Sequence, residues 1–171
     1  MRVAAERGLE AVSLRHVAAE AGVSAGMVQH YFATKDDMMA FAMAMVRERS
    51  EARVATAVAG LGEAPPAHLL VRTLISALLP LDEQSGADAR VALAFLAYAA
   101  VRPPVAAALR EDTVQLRSFL AALIPGPDAA EAAGGLLALT EGLGLYLISG
   151  QYTAAQALAV LDAQLNRLFP A

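Results

Sequence analysis

Apolar residues recur along this chain at spacings of three and four, and nowhere in the strict alternation of a half-buried strand. The spacing predicts helices throughout. Residues 1–7 read as the tail of a helix that Gly8 caps. The pattern starts inside that helix, so a native chain extending further upstream is expected. Ser13 is placed to cap a short helix from Leu14 to Ala21, which Gly22 stops, and Ser24 to cap a second from Ala25 to about Tyr31. Thr34 opens a long helix, with Asp37 three residues on as its capping-box partner, running to about Ala59 before Gly60 and Gly62. Pro65 and Pro66 start the next helix, which reaches Leu79 ahead of Pro80. Asp82 to Asp88 read as a polar loop, followed by a helix from Ala89 to Val101. Pro104 fits the first turn of a helix reaching Leu123. After the breaker Pro125-Gly126-Pro127 come helices over Ala129–Ser149 and Thr153–Phe169. The fold class is therefore all-α, with no internal repeat.

The last two helices stand apart. From Leu136 to Ile148 every face is apolar except at Thr140 and Glu141, and Gly134, Gly135, Gly142 and Gly144 are interspersed. A helix apolar all round is buried or in a membrane. Glu131, Glu141 and the glycines argue against a membrane span. One face should then cover the chain's own core and the other a second chain. The final helix carries Leu158, Leu161, Leu165 and Leu168 in one stripe. Together they predict a two-fold, four-helix seam. Its expected residues are Leu136, Leu139, Leu143, Tyr146, Leu158, Leu161 and Leu165.

Composition sharpens this picture. Of 171 residues 57% are apolar and 41 are alanine, which loses little freedom in a helix. So apolar a small chain favours association with a partner. Without cysteine there is no disulfide, thiol nucleophile or thiolate-held zinc. No signal or transit pattern is present, and the reducing cytoplasm is the expected compartment. His16, His30 and His68 lack metal-ligand spacing, and neither a phosphate-cradling loop nor a nucleophile elbow occurs. No enzyme activity, metal or cofactor is expected. The net charge of −4 hides a gradient: residues 1–35 sum to +1 and include Lys35, the chain's one lysine. That asymmetry favours a polyanion contact near the N-terminus.

The segment 13–35 carries the chemistry. Two short helices joined by a turn of about three residues, with Gly22 in it, have the spacing of a helix-turn-helix. Val17, Ala18, Ala21, Val23 and Val28 supply a small core, and Ala18 and Gly22 are expected to be small where the helices cross. The second helix would present Ala25, Gly26, Met27, Gln29, His30 and Tyr31. Gln29 can make two hydrogen bonds to an adenine edge, and Ala25 or Met27 can touch a thymine methyl. Ser13, Arg15, Ser24, Lys35 and the helix N-termini can reach phosphates.

From Gly8 to Met38 the sequence resembles the DNA-binding domain of TetR-type repressors. The matching residues are Gly8, Ser13-Leu14-Arg15, Val17-Ala18, Ala21 through Gly26, Tyr31-Phe32 and Lys35, with the Phe32–Lys35 junction into a long helix. Thr140 through Gly150 resembles the C-terminal domain of the betaine-regulator (BetI-like) branch. The resemblance implies a DNA-binding domain over 1–45 and an effector-binding and dimerisation domain over 46–171. It implies a homodimeric repressor that binds a palindromic double-stranded DNA operator, responds to a small hydrophobic effector and enters no membrane. Gln29 departs from the family, which often has an aromatic there, and the family's basic arm before the first helix is missing. Candidate effector contacts are Met43 and Met45 on the long helix, and Arg72, Phe95, Tyr98, Gln115 and Phe119 on the middle helices. Glu141 is expected at the seam or the pocket. The alternative is a helical ligand-binding dimer that does not regulate by binding DNA.

Overall fold

The computed structural model describes residues 13–170, and among them are eight helices and no strand. They are α1 (Leu14–Ala21), α2 (Ala25–Tyr31), α3 (Lys35–Ala59), α4 (Ala67–Leu78), α5 (Glu83–Ala100), α6 (Pro103–Leu123), α7 (Ala129–Ile148) and α8 (Ala154–Leu168). The expected helix tail over 1–7 and its cap at Gly8 lie outside the described residues. Most helix starts follow from local capping. Ser13, Ser24 and Thr153 each accept a backbone N–H from the first turn they precede. Thr34 and Asp37 form the full reciprocal box: the Thr34 hydroxyl accepts from the Asp37 N–H at 3.1 Å and the Asp37 carboxylate from the Thr34 N–H at 3.0 Å.

One boundary differs from expectation. The segment read as a loop, Asp82 to Asp88, is the first turns of α5, which starts at Glu83. Asp82 and Ser85 make a second reciprocal box there. The hydrogen bond from the Ser85 N–H holds the Asp82 carboxyl below its ordinary range. Asp88 is polar but not solvated. It is 4% exposed and clamped by two guanidiniums of α3, Arg49 at 2.5 Å and Arg53 at 3.1 Å.

Two apolar cores result. One lies among α4, α6, α7 and α8, centred on Val71, Ile75, Leu120, Leu136, Leu161 and Leu165. The other gathers Ala18 and Val28 of the short helices, Met38, Met39 and Val46 of α3, and Val91 and Phe95 of α5. α3 thus belongs to the helix-turn-helix core and also packs along α4 and α5. The boundary expected near residue 45 falls inside this single 25-residue helix, which spans roughly 37 Å.

The leucine stripe faces inward, which corrects four seam residues. Leu136, Leu143, Leu161 and Leu165 are at most 2% exposed within the chain itself and have no surface to offer a partner. Leu158 and Leu139 are half-buried against the same core, and Tyr146 is exposed beside Tyr152. Part of the outward side of α7 is made of small residues, beside the exposed Leu145 and Tyr146. A Cβ at Gly135 or Gly142 would meet nothing within 4 Å. Ala138 lies between them, and Ala155, Ala159 and Ala163 are the exposed counterparts on α8. By length and hydropathy α7 could cross a membrane. Here it packs on α6 and α8 and buries Ala133, Leu136 and Leu143.

Candidate nucleic-acid interface and ligand cavity

α1 and α2 meet through Ala18, which is 2% exposed, and Val28, with Leu14, Val17, Ala25 and Phe32 packed around them. Ala21 and Val23, expected in this small core, are exposed instead. They flank Gly22, whose left-handed φ of +68° turns the chain outward after α1. That φ, not crowding, is why glycine stands there: a Cβ would meet no atom within 4 Å. The expectation of a tight crossing at Gly22 is corrected accordingly.

The exposed side of the pair carries Arg15, Ser24, Gly26, Met27, Gln29, His30 and Tyr31. Tyr31 is 75% exposed, an unusual position for a ring unless something covers it. His30 meets it edge-on at 5.5 Å. Ser13, Ala25 and Lys35 are half-buried. The hydroxyl oxygens of Ser13 and Ser24 accept cap hydrogen bonds at 3.1 and 3.2 Å, which leaves each hydroxyl proton able to donate outward.

Among the described residues, three adjoining cavities lie along α3. The first, about 580 Å³, lies between α3, α4 and α6 and is walled by Val54, Val58, Leu70, Leu74 and Phe119, with Gln115 at its edge. The second, about 340 Å³, lies between α3, α5, α6 and α7 and is walled by Phe95, Leu96, Leu137 and Leu145. The third, about 560 Å³, opens between α3, α5 and α6 beside Asp37, Glu48 and Glu51. Met43 and Phe95 line both the second and the third. Glu141 stands on the second and is exposed as a residue, while desolvation of its carboxyl pushes its pKa up.

Of the effector residues expected from sequence, Met43, Phe95, Gln115 and Phe119 line these cavities. Three others are engaged elsewhere or outside the linings. Arg72 reaches across to Asp162 of α8 at 2.6 Å. Tyr98 donates to Asp36, and Arg102 lies 4.2 Å over its ring and 3.3 Å from the same carboxylate. Burial, then the Asp36 hydrogen bond, raise the Tyr98 pKa. Met45 lines none of the three. Sequence reasoning missed Arg47, Ser50, Glu51 and Val54, although their three- and four-residue spacing from Met43 marks one face of α3. It also missed Asp112 of α6, whose bidentate pair with Arg47 no local pattern announces.

Comparison with known proteins agrees with this geometry. Residues 1–41 match the family model for bacterial regulatory proteins of the tetR family, and residues 67–170 the model described as BetI-type transcriptional repressor, C-terminal. The HTH-type transcriptional regulator BetI of Stenotrophomonas maltophilia (strain R551-3) is 32% identical over 171 residues, covering 94% of this chain and 86% of its own. The HTH-type transcriptional regulator PksA of Bacillus subtilis (strain 168) is 37% identical over 98 residues, 57% of this chain and 46% of its own. A transcriptional regulator from Rhodococcus sp. Rha1 superposes with a TM-score of 0.87 at 37% identity, covering 98% of this chain and 90% of that one. A regulator from Saccharomonospora viridis in complex with choline has the same fold, with a TM-score of 0.79 at 21% identity over 95% of this chain and 88% of that one.

Proposed function

The chain belongs to the TetR family of bacterial transcriptional regulators, a family of DNA-binding proteins and not of enzymes, and from that premise we propose that it is a cytoplasmic repressor. It binds a palindromic operator as a homodimer and changes its grip on DNA when a small, largely apolar effector enters the helical body. The observation that carries this reading is the double membership of α3. Its first turns belong to the core that seats the recognition helix α2, and its later turns wall all three cavities. A ligand that moves α3 moves the helix that reads DNA.

On the DNA side Gln29 reads a base edge and Ala25 or Met27 a thymine methyl. Ser13, Arg15, Ser24 and Lys35 hold phosphates, and Gly26, His30 and Tyr31 lie against the backbone. Two copies of α2, roughly 34–36 Å apart, enter successive major grooves. The dimer forms through the small-residue face of α7 and α8 around Gly135, Ala138, Gly142 and Ala159, with Leu139, Tyr146 and Leu158 at its margins. The test is binding of the full chain to DNA flanking its own gene across a salt series. Saturable, sequence-dependent and salt-sensitive binding is expected. Its absence under all salt conditions would leave a ligand-binding helical dimer that does not act on DNA.

A further inference from the structure

The three cavities are compartments of one space. The first and second share Ser50, Leu78 and Leu116; the second and third share Met43, Phe95 and Leu109. The first and third share Arg47, Glu51 and Asp112. α3 packs closely on α4 and α5 but makes little direct contact with α6. The Arg47–Asp112 pair therefore crosses an open cleft, with one compartment to either side of it. Both side chains are partly exposed, at 50% and 38%, and an exposed pair of this kind holds weakly.

The charge of the lining is one-sided. Among the described lining residues six carboxylates, Asp36, Asp37, Glu48, Glu51, Asp112 and Glu141, stand against the single guanidinium of Arg47. Asp36 is held by Tyr98 and Arg102, Asp37 by the cap of α3, and Asp112 by Arg47. Glu48 lies in the field of Arg49 on the same helix, and among the described residues Glu51 and Glu141 form no salt bridge. Away from this rim the walls are mostly apolar, with Ser50, Thr113, Gln115 and Thr140 as their uncharged polar members. Among the described lining residues the aromatic ones are Phe95 and Phe119, and they lie in different compartments. Small quaternary ammonium ions are recognised by several rings closing around one point, and no compartment supplies that. Volumes of about 340–580 Å³ suit ligands of drug size.

We propose that the effector is an elongated amphipathic cation, larger than choline, whose apolar body lies between α3, α5, α6 and α7 and whose charged end sits at the carboxylates of the α3–α6 cleft. It enters by displacing Arg47 from Asp112. This rests on the reading of the chain as an effector-responsive regulator. The full chain is titrated with three probes: rhodamine 6G, an amphipathic cation; 1-anilinonaphthalene-8-sulfonate, an apolar anion of similar bulk; and choline chloride. Rhodamine 6G should bind saturably, and the anion and choline each about tenfold or more weakly. Glu51→Gln, a conservative change at an exposed position, should weaken the cation about two- to fivefold and not weaken the anion. Leu116→Trp, which fills the wall shared by two compartments, should abolish rhodamine binding. Arg47→Ala should speed rhodamine association in stopped-flow fluorescence. Choline binding as tight as rhodamine, an anion preference, or indifference to Glu51→Gln would overturn the proposal. So would rhodamine binding that appears only on dissociation of a dimer, which would make the cleft a contact between copies. If DNA binding persists while these results fail, this inference alone falls. If the cation binds as described but no DNA binds at all, the regulator reading falls instead.

Discussion

Gln29 and Lys35 sit only six positions apart, yet the proposed DNA contact gives them opposite jobs. Gln29, exposed on α2, has the amide geometry to pair with adenine. Gln29→Ala should cost ~1–3 kcal/mol at one operator position and little at others, as checked by affinity across single-base operator variants. Lys35, at the start of α3, contributes a point charge. Lys35→Ala should weaken binding to all sequences alike and lower the salt slope by about one per protomer. At Gly22 the constraint is conformational. With φ at +68° and open space around it, Gly22→Ala should cost about 1–2 kcal/mol of stability, read from the urea midpoint. The exposed position of Gln29 and the helix start at Lys35 were legible in the sequence because both depend on local caps and spacing. Gly22 was recognised as a turn glycine, but the reason assigned to it, crowding between helices, was wrong because only the three-dimensional surroundings show the empty space.

Helix ends also followed from the sequence wherever a cap was local, as at Ser13, Ser24, Thr34 and Thr153. The start of α5 did not. Its first turns look like a solvated loop because the arginines that bury Asp88 come from α3, more than thirty positions upstream. Asp88→Ala should leave Arg49 and Arg53 facing each other without their counterion. A loss of about 2–4 kcal/mol is expected in urea unfolding, since one partner of a mostly buried cluster is removed. The leucine stripe of α8 posed a different problem. Periodicity reveals that a face is apolar, not which neighbour covers it, and the chain's own core claims Leu161 and Leu165. On the outer side of the same helices, Arg72 and Asp162 join α4 to α8. The Arg72 hydrogen bond holds the Asp162 carboxyl below its ordinary value. A carboxyl lowered on folding stabilises the native state above its unfolded pKa and loses that contribution as pH falls through the folded value. Arg72→Gln should therefore flatten the acid limb of the stability curve, below about pH 4. With both side chains partly exposed, the effect should stay under about 1 kcal/mol.

At the scale of the whole molecule α3 contributes to both cores, and the three cavities lie along its length. Met38, Met39 and Val46 hold α3 to the DNA-binding core, while Met43, Arg47 and Ser50 line the cavities. This arrangement could not be read from spacing alone, because the cavity walls are contributed by helices up to a hundred residues apart. A second tie bears on the same lever: Asp36, in the first turn of α3, is held by Tyr98 and Arg102 at the turn between α5 and α6. On the proposed reading, an occupant of the cleft that shifts α6 relative to α3 would pull on Asp36 and tilt the N-terminal end of α3, carrying α2 with it. If that is the coupling, linkage requires reciprocity: whatever factor the ligand removes from DNA affinity, DNA must remove from ligand affinity. Coupling of ~1–3 kcal/mol corresponds to about 5–150-fold. The measurement is titration of rhodamine 6G, as ligand, into the full chain with and without saturating operator DNA, paired with DNA titrations with and without the cation. The two factors should agree. Tyr98→Phe and Asp36→Asn, which cut the tie without touching the exposed face of α2, should shrink both factors together while leaving DNA affinity in the absence of ligand nearly unchanged. Unequal factors would show that the two ligands do not share one equilibrium, and undiminished factors in both variants would mean that α3 is moved by some route other than the Asp36 tie.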